Sequence, residues 1–170
     1  MSRSRTRLAT AALALGAIAL ASPLHAQCIP MNFPGNWLQQ QENAGGHTIA
    51  RHVGKTDLQL AQRLAQNPHI AAASTYPNLA GAQGTITAGL ATNRNTINNW
   101  ANGANNGQSQ AYNYAAAGNI GRVATRNPNA PPPALFTNTC TYRAVIRATG
   151  GGNCYLLTSF PTSPAPGACP

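Results

Sequence analysis

The pattern of apolar residues changes once along this chain, and that change decides its fold class. Up to about residue 101 the apolar positions fall at helical spacing; from Ile120 onward they crowd into short runs rich in Val, Ile, Thr and Tyr. Residues 44–53 form a short helical segment, with Ile49 and Val53 at helical spacing and Gly54 ending it. Thr56 is then a good N-cap, and Asp57 sets a negative charge where the helix dipole favours one. Leu58, Leu60, Ala61, Leu64 and Ala65 follow, and Pro68 stops the helix. Asn78 caps a weaker helix through Leu90, diluted by Gly81, Gly84 and Gly89. Another runs from about 95 to 101, with Ile97 and Trp100 on one side.

Residues 120–125, 139–149 and 154–160 read as strands, separated by the proline-rich stretch 128–133 and by the turn GGGN at 150–153. Residues 102–118 are polar, small and aperiodic, which predicts a loop or flexible insertion. Residues 27–43 are expected to form an irregular entry segment in which Phe33 and Trp37 are available to pack. The expected fold is therefore α+β, with N-terminal helices packed on a small C-terminal antiparallel sheet. It occupies residues 44–161 and is followed by a proline-rich tail at 162–170.

The first residues have the form of a secretory signal peptide. Arg3, Arg5 and Arg7 are followed by an apolar run over 8–21, a break at Pro23 and a small residue at Ala26. Cleavage is expected after Ala26, giving a secreted or periplasmic protein. The run is too short and too abruptly ended for a membrane anchor, and Gln27 before Cys28 does not suit a lipoprotein site. No other stretch could span a membrane, so no stable membrane association is expected once the leader is removed.

All four cysteines, Cys28, Cys140, Cys154 and Cys169, follow that leader, which predicts two disulfides. If Gly151 and Gly152 form the hairpin turn, Thr149 faces Cys154 and Cys140 pairs near Ser163. Cys140 and Cys154 are then about nine residues apart along the strands, roughly 30 Å, too far for a disulfide. Cys28 is expected to pair with one of these two and Cys169 with the other.

Charge narrows the function. The chain has eleven Lys and Arg residues against two acids, Glu42 and Asp57; residues 27–170 keep eight of the cations and both acids, a formal charge of +6. Two-carboxylate glycosidase chemistry would need both acids with nothing to spare. The same count excludes an acidic metal cage, and no C-x-x-C occurs to suggest zinc. A positive field with few competing anions suits a polyanionic partner such as RNA, DNA or an anionic membrane.

The chemistry-bearing residues cluster in GGHTIARHVGKT, where His47 and His52 stand beside Arg51 and Lys55. Imidazoles exchange protons near neutral pH, and cations hold a phosphate and its transition-state charge. RNA cleavage needs little more, and no metal or cofactor is implied. On one straight helix His52 and Arg63 would lie roughly 16 Å apart. A turn at Gly54 can fold their segments together. His69, in a helix-exit turn, is assigned to the surface. Tyr76 and Tyr155 are aromatics on which bases could stack.

GGHTIARHVGKT, HVGKTDLQLAQRL with its Arg63, STYPN, TINNW and YLLTSFP occur in that order along the chain. Together they resemble the ribonuclease-A-like toxin domain at the C-termini of bacterial contact-dependent growth inhibition proteins, over roughly 44–161. The resemblance implies a pancreatic-ribonuclease-like fold, an RNA-cleaving activity and a cognate immunity protein. It implies a site of His52, Arg63 and Thr158. On the reading of the residues themselves, His47 is a candidate for the second proton transfer, and Lys55, Arg51 and Phe160 are expected to bind substrate. Phe160 stands where the family can place a tyrosine. The expected protein is a monomeric, secreted, metal-independent endoribonuclease acting through a 2′,3′-cyclic phosphate. The alternative is a non-catalytic secreted protein that binds nucleic acid or an anionic surface through its basic face.

Overall fold

The computed structural model describes residues 27–127, 129, 134–164 and 169. The leader expected at 1–26 and most of the proline-rich stretch at 128–133 lie outside them. Three helices come first: α1 (Trp37–Asn43), α2 (Thr48–His52) and α3 (Asp57–Gln66). Strand β1 (Ala72–Thr75) precedes α4 (Leu79–Thr92) and α5 (Arg94–Gly103). Five strands complete the chain: β2 (Ser109–Ala115), β3 (Gly121–Arg126), β4 (Ala134–Thr139), β5 (Thr141–Gly150) and β6 (Asn153–Pro161). The class is α+β, as the change of apolar pattern requires.

The helix signals act where the residues place them. The Thr56 hydroxyl accepts from Gln59 N at 3.3 Å, and the Gln59 side chain accepts from Thr56 N at 2.8 Å, a reciprocal box at the start of α3. Asn78 caps α4 by accepting from Gly81 N at 2.8 Å. Gly54 supplies the turn between α2 and α3 with φ +65, a conformation that favours glycine.

The sheet departs from expectation. There are two three-stranded antiparallel sheets, ordered β1-β3-β4 and β2-β5-β6, in place of one. Three strands were not legible. Strand β1 is only Ala-Ala-Ser-Thr, which carries no large apolar residue. Strand β2 lies at a sheet edge within the stretch read as a loop, and five of its seven residues are exposed. Its pairing to β5 is a backbone ladder that needs little apolar surface. Strand β4 follows the prolines directly and shows an exposed Leu135. The entry segment is also more ordered than expected: α1 buries adjacent Trp37 and Leu38, and Leu38 N donates to the Gln83 side chain on α4 at 3.1 Å. A helix with two apolar residues in seven has no periodicity to read.

The larger core lies between α1, α4, α5 and the β2-β5-β6 sheet and includes Leu38, Ile86, Leu90, Ile97, Tyr142, Ile146 and Leu156. A smaller one, with Leu60, Leu64, Ala73 and Ala124, lies beneath α3 on the other sheet. Two disulfides close the chain, Cys28–Cys154 and Cys140–Cys169. Cys154 faces Ala148, not Thr149, because the β5–β6 register shifts between Ala148 and Gly150. A second shift has a functional result. Val145 faces Thr158 while Ile146 faces Leu156, so Leu157 is an extra residue in β6.

Candidate active site

One cleft of about 340 Å³ is lined by His47, Arg51, His52 and Arg63 from the helical half, by Ala72 and Ser74 of β1, and by Thr158, Phe160 and the residues just after them. It lies where the two sheets meet under α2. The turn at Gly54 is held there by Gly54 N donating to Tyr76 O at 2.9 Å and Tyr76 N donating to His52 O at 2.8 Å. Helix α2 is thereby stitched to the end of β1, and α3 can return toward it.

His52 is 7% exposed. Its Nδ1 lies 3.1 Å from the Ser74 carbonyl oxygen. A carbonyl only accepts, so Nδ1 carries the proton of the neutral ring and Nε2 the lone pair. Burial lowers the His52 pKa to about 4; the Ser74 bond opposes this, and Arg63, His47 and Arg51 add to it. The Phe160 ring packs on the imidazole at a centroid distance of 5.3 Å.

His47 is placed by β6. Its backbone N donates to the Leu157 carbonyl at 2.9 Å. The glycine before it is required: a Cβ on Gly46 would stand 2.6 Å from the Leu156 carbonyl oxygen and 2.8 Å from that of Gln41. Glu42 accepts from Ile49 N at 3.0 Å and from Ala50 N at 2.9 Å, which fixes the start of α2. Burial and then Arg51 lower the His47 pKa, against Glu42, which raises it.

Arg63 reaches back across the Gly54 turn and donates from Nη1 to the Arg51 carbonyl at 2.9 Å. Its pKa is lowered by burial and by Arg51. Asp57, the nearest acid in sequence, is turned to Arg122 at 3.1 Å.

Thr158 owes its direction to the extra residue Leu157. Leu156 packs in the larger core and Ser159 bonds to Tyr76 Oη at 2.8 Å and to the Arg143 carbonyl at 3.0 Å, whereas Thr158 and Phe160 turn to the cleft. The Thr158 hydroxyl is buried and has no hydrogen-bond partner among the described residues.

The structure thus brings together six of the seven side chains singled out from the sequence: His47, Arg51, His52, Arg63, Thr158 and Phe160. Lys55 is the exception and lines an adjoining recess. Its backbone N donates to the Thr75 hydroxyl oxygen at 2.9 Å. Tyr76 is fully buried and unable to stack on a substrate. His69 is exposed and outside the cleft, as expected. Sequence reasoning missed Ser74, whose contribution is a backbone carbonyl and so leaves no residue-type signal.

The family model described as the bacterial CdiA-CT RNAse A domain matches residues 46–161. The chain belongs to this family. A chain of the crystal structure of the CdiA-CT/CdiI complex from Y. kristensenii 33638 is similar in fold, with a TM-score of 0.59 and 22% identity over 69% of this chain and all of that one. No curated protein matches. The RNase A-type domain begins at Gly46, the glycine pressed between α1 and β6, and ends at Pro161, the last residue of β6. All six cleft side chains fall inside it.

Proposed function

We propose that the protein is a secreted endoribonuclease that cleaves RNA without a metal ion, by attack of the 2′-oxygen on the adjacent phosphorus. The observation that carries this reading is the meeting of a neutral imidazole, a guanidinium and a bondless hydroxyl in one cleft, His52, Arg63 and Thr158.

His52 Nε2 takes the proton of the 2′-hydroxyl. The oxygen so freed bonds to phosphorus, and the bond from phosphorus to the 5′-oxygen breaks. The Arg63 guanidinium and the Thr158 hydroxyl donate to the non-bridging oxygens as charge gathers on them. His47, in its protonated form, gives a proton to the departing 5′-oxygen. The products are a 2′,3′-cyclic phosphate and a free 5′-hydroxyl. Phe160 offers no hydroxyl; its ring covers one side of His52, whose burial keeps the imidazole neutral and able to accept a proton.

The acid-poor composition supports an RNA partner, since only two carboxylates oppose the backbone's charge. The leader and two disulfides support export. Because the similar Y. kristensenii structure is a complex with CdiI, we extend a cognate immunity protein to this chain, which otherwise acts as a monomer. The deciding experiment incubates protein lacking residues 1–26 with structured and unstructured RNA in excess chelator. Cleavage that leaves cyclic phosphate ends, lost in His52→Ala, is the expected result. Retention of tight RNA binding with no cleavage under any condition overturns it in favour of a binding protein.

A further inference from the structure

Helix α2 is not capped by its own N-cap residue. That residue is His47, and its side chain makes no capping bond. An N-cap side chain ordinarily accepts from the backbone N–H groups two and three residues on, here those of Ile49 and Ala50. Both are taken by the Glu42 carboxylate of α1, at 3.0 and 2.9 Å. The capping task has passed to another helix, and the His47 imidazole is left free to line the cleft.

The same turn of α1 reaches the sheet. Gln41 Oε1 accepts from Leu156 N at 2.9 Å, and the Gln41 carbonyl accepts from Gly46 N at 3.0 Å. His47 N donates to the Leu157 carbonyl at 2.9 Å, and the Thr48 hydroxyl accepts from Ser159 N at 2.8 Å. Residues 41–48 therefore run along the edge strand β6. Adjacent Gln41 and Glu42 grip the two halves of the cleft, one the strand that carries Thr158, the other the helix that carries His52. Both precede Gly46 and so lie outside the matched RNase A-type domain.

Charge points the same way. The ionisable groups around His47 are Arg51 and His52 on α2, Arg63 on α3 and Glu42 on α1. Strands β1 and β6 face the cleft with Ala72, Ser74, Thr158 and Phe160, none of them charged. Of the chain's two acids, Asp57 is paired with Arg122, which leaves Glu42 as the one carboxylate side chain near His47. Arg51 and Arg63 disfavour a proton on His47, and Glu42 favours it.

We propose that Glu42 is a positioning residue of the cleft, which caps α2 in place of His47 and keeps that imidazole free and fit to donate a proton. It rests on the reading of His47 as the proton donor of an RNA-cleaving cleft. Glu42 touches no reacting atom and acts through His47. The segment ahead of the RNase A-type domain is thereby part of the working site.

The test replaces Glu42 by Gln, which keeps the shape and one acceptor but loses the charge. In Glu42→Gln, kcat on RNA is expected to fall about tenfold with KM little changed, a fraction of what a general acid contributes. The alkaline limb of the kcat/KM profile moves toward acid, and in NMR titrations the His47 ring loses its proton at lower pH than in wild type. Glu42→Asp keeps the charge and recovers part of kcat and most of the His47 titration. Gln41→Ala is the control: it lowers the melting temperature and leaves the His47 titration in place. A Glu42→Gln protein whose activity falls equally at every pH, with His47 titrating as in wild type, overturns the proposal. Where Glu42→Gln does not fold, wild type decides: the Ile49 and Ala50 amide protons and the His47 ring shift together as Glu42 is protonated, and a ring indifferent to that step overturns the proposal. If wild type cleaves no RNA, the reading of the cleft fails, and the titrations still decide the link between Glu42 and His47.

Discussion

Arg63 Nη1 is bonded to the backbone carbonyl of Arg51 at 2.9 Å, so one corner of the guanidinium fastens α2 while the remaining donors face the cavities on either side. Five fixed donors permit this division. A lysine has the charge but not the fork. Arg63→Lys is expected to lower kcat/KM by about 10²-fold or more, nearly as far as Arg63→Ala, with little change in melting temperature. Steady-state kinetics at fixed salt check it; substantial rescue by lysine would mean that charge alone is required.

Thr158→Val separates activity from stability. The hydroxyl is buried without a partner, and such a group costs about 1–3 kcal/mol. Valine has nearly the same shape and removes that cost. The variant is expected to unfold at higher denaturant than wild type and to lose about 10–100-fold in kcat. Denaturant titration and single-turnover cleavage on the same preparation measure both.

In the proposed mechanism the two histidines set the pH profile. His52 acts as a base only when unprotonated, so kcat/KM rises with pH through about 4. His47 acts as an acid only when protonated, and burial holds its pKa below the ordinary histidine value of 6.5. Activity therefore falls again before that value, and the optimum is acidic. A bell centred above pH 7 would contradict the assignment.

The same shift makes the fold sensitive to acid. In the unfolded chain His52 takes a proton near 6.5, in the folded one only near 4. Between those values the unfolded state binds more protons, so stability rises with pH and is fully present above 6.5. As pH falls through the window about 3 kcal/mol is lost. His52→Gln should flatten this dependence, which urea titrations at pH 7 and near pH 4.5 would reveal.

The two disulfides contribute unequally. Cys28–Cys154 closes 126 residues and Cys140–Cys169 closes 29. On the chain-entropy model they are worth about 5 and about 4 kcal/mol. The double substitution Cys28→Ala, Cys154→Ala is expected to destabilise more than its counterpart, because it also frees the entry segment that Asn98 holds through Ile29 at 2.7 Å. Equal losses in calorimetry would argue against that added effect.

What the sequence made legible follows the physics of each element. Caps and breakers act locally, so Thr56, Asn78, Gly54 and Pro68 marked helix boundaries. The His52, Arg63 and Thr158 set was legible through short motifs whose residue types carry the chemistry. Strand β1 and edge strand β2 are held by backbone ladders with partners far along the chain, and a polar sequence does not announce them. Tyr76 seemed an exposed ring because burial by Tyr142 and Ser159 is a tertiary fact. Lys55 sat within the right motif and yet lines the adjoining recess, because which cavity a side chain meets is decided by tertiary packing and not by its place in a motif.

Because of the supernumerary Leu157, alternation alone misassigns the end of β6: Leu156 and Thr158, two residues apart, stand on opposite faces because the bulge takes up the residue between them. Excising Leu157 would leave Leu156 opposite Ile146 and Thr158 opposite Val145, so Thr158 and Phe160 would still face the cleft and Ser159 the tyrosines. A strand shortened at that point is therefore expected to keep the orientation of the centre, whereas drawing the bulge flat with every residue retained would turn Thr158 and Phe160 inward.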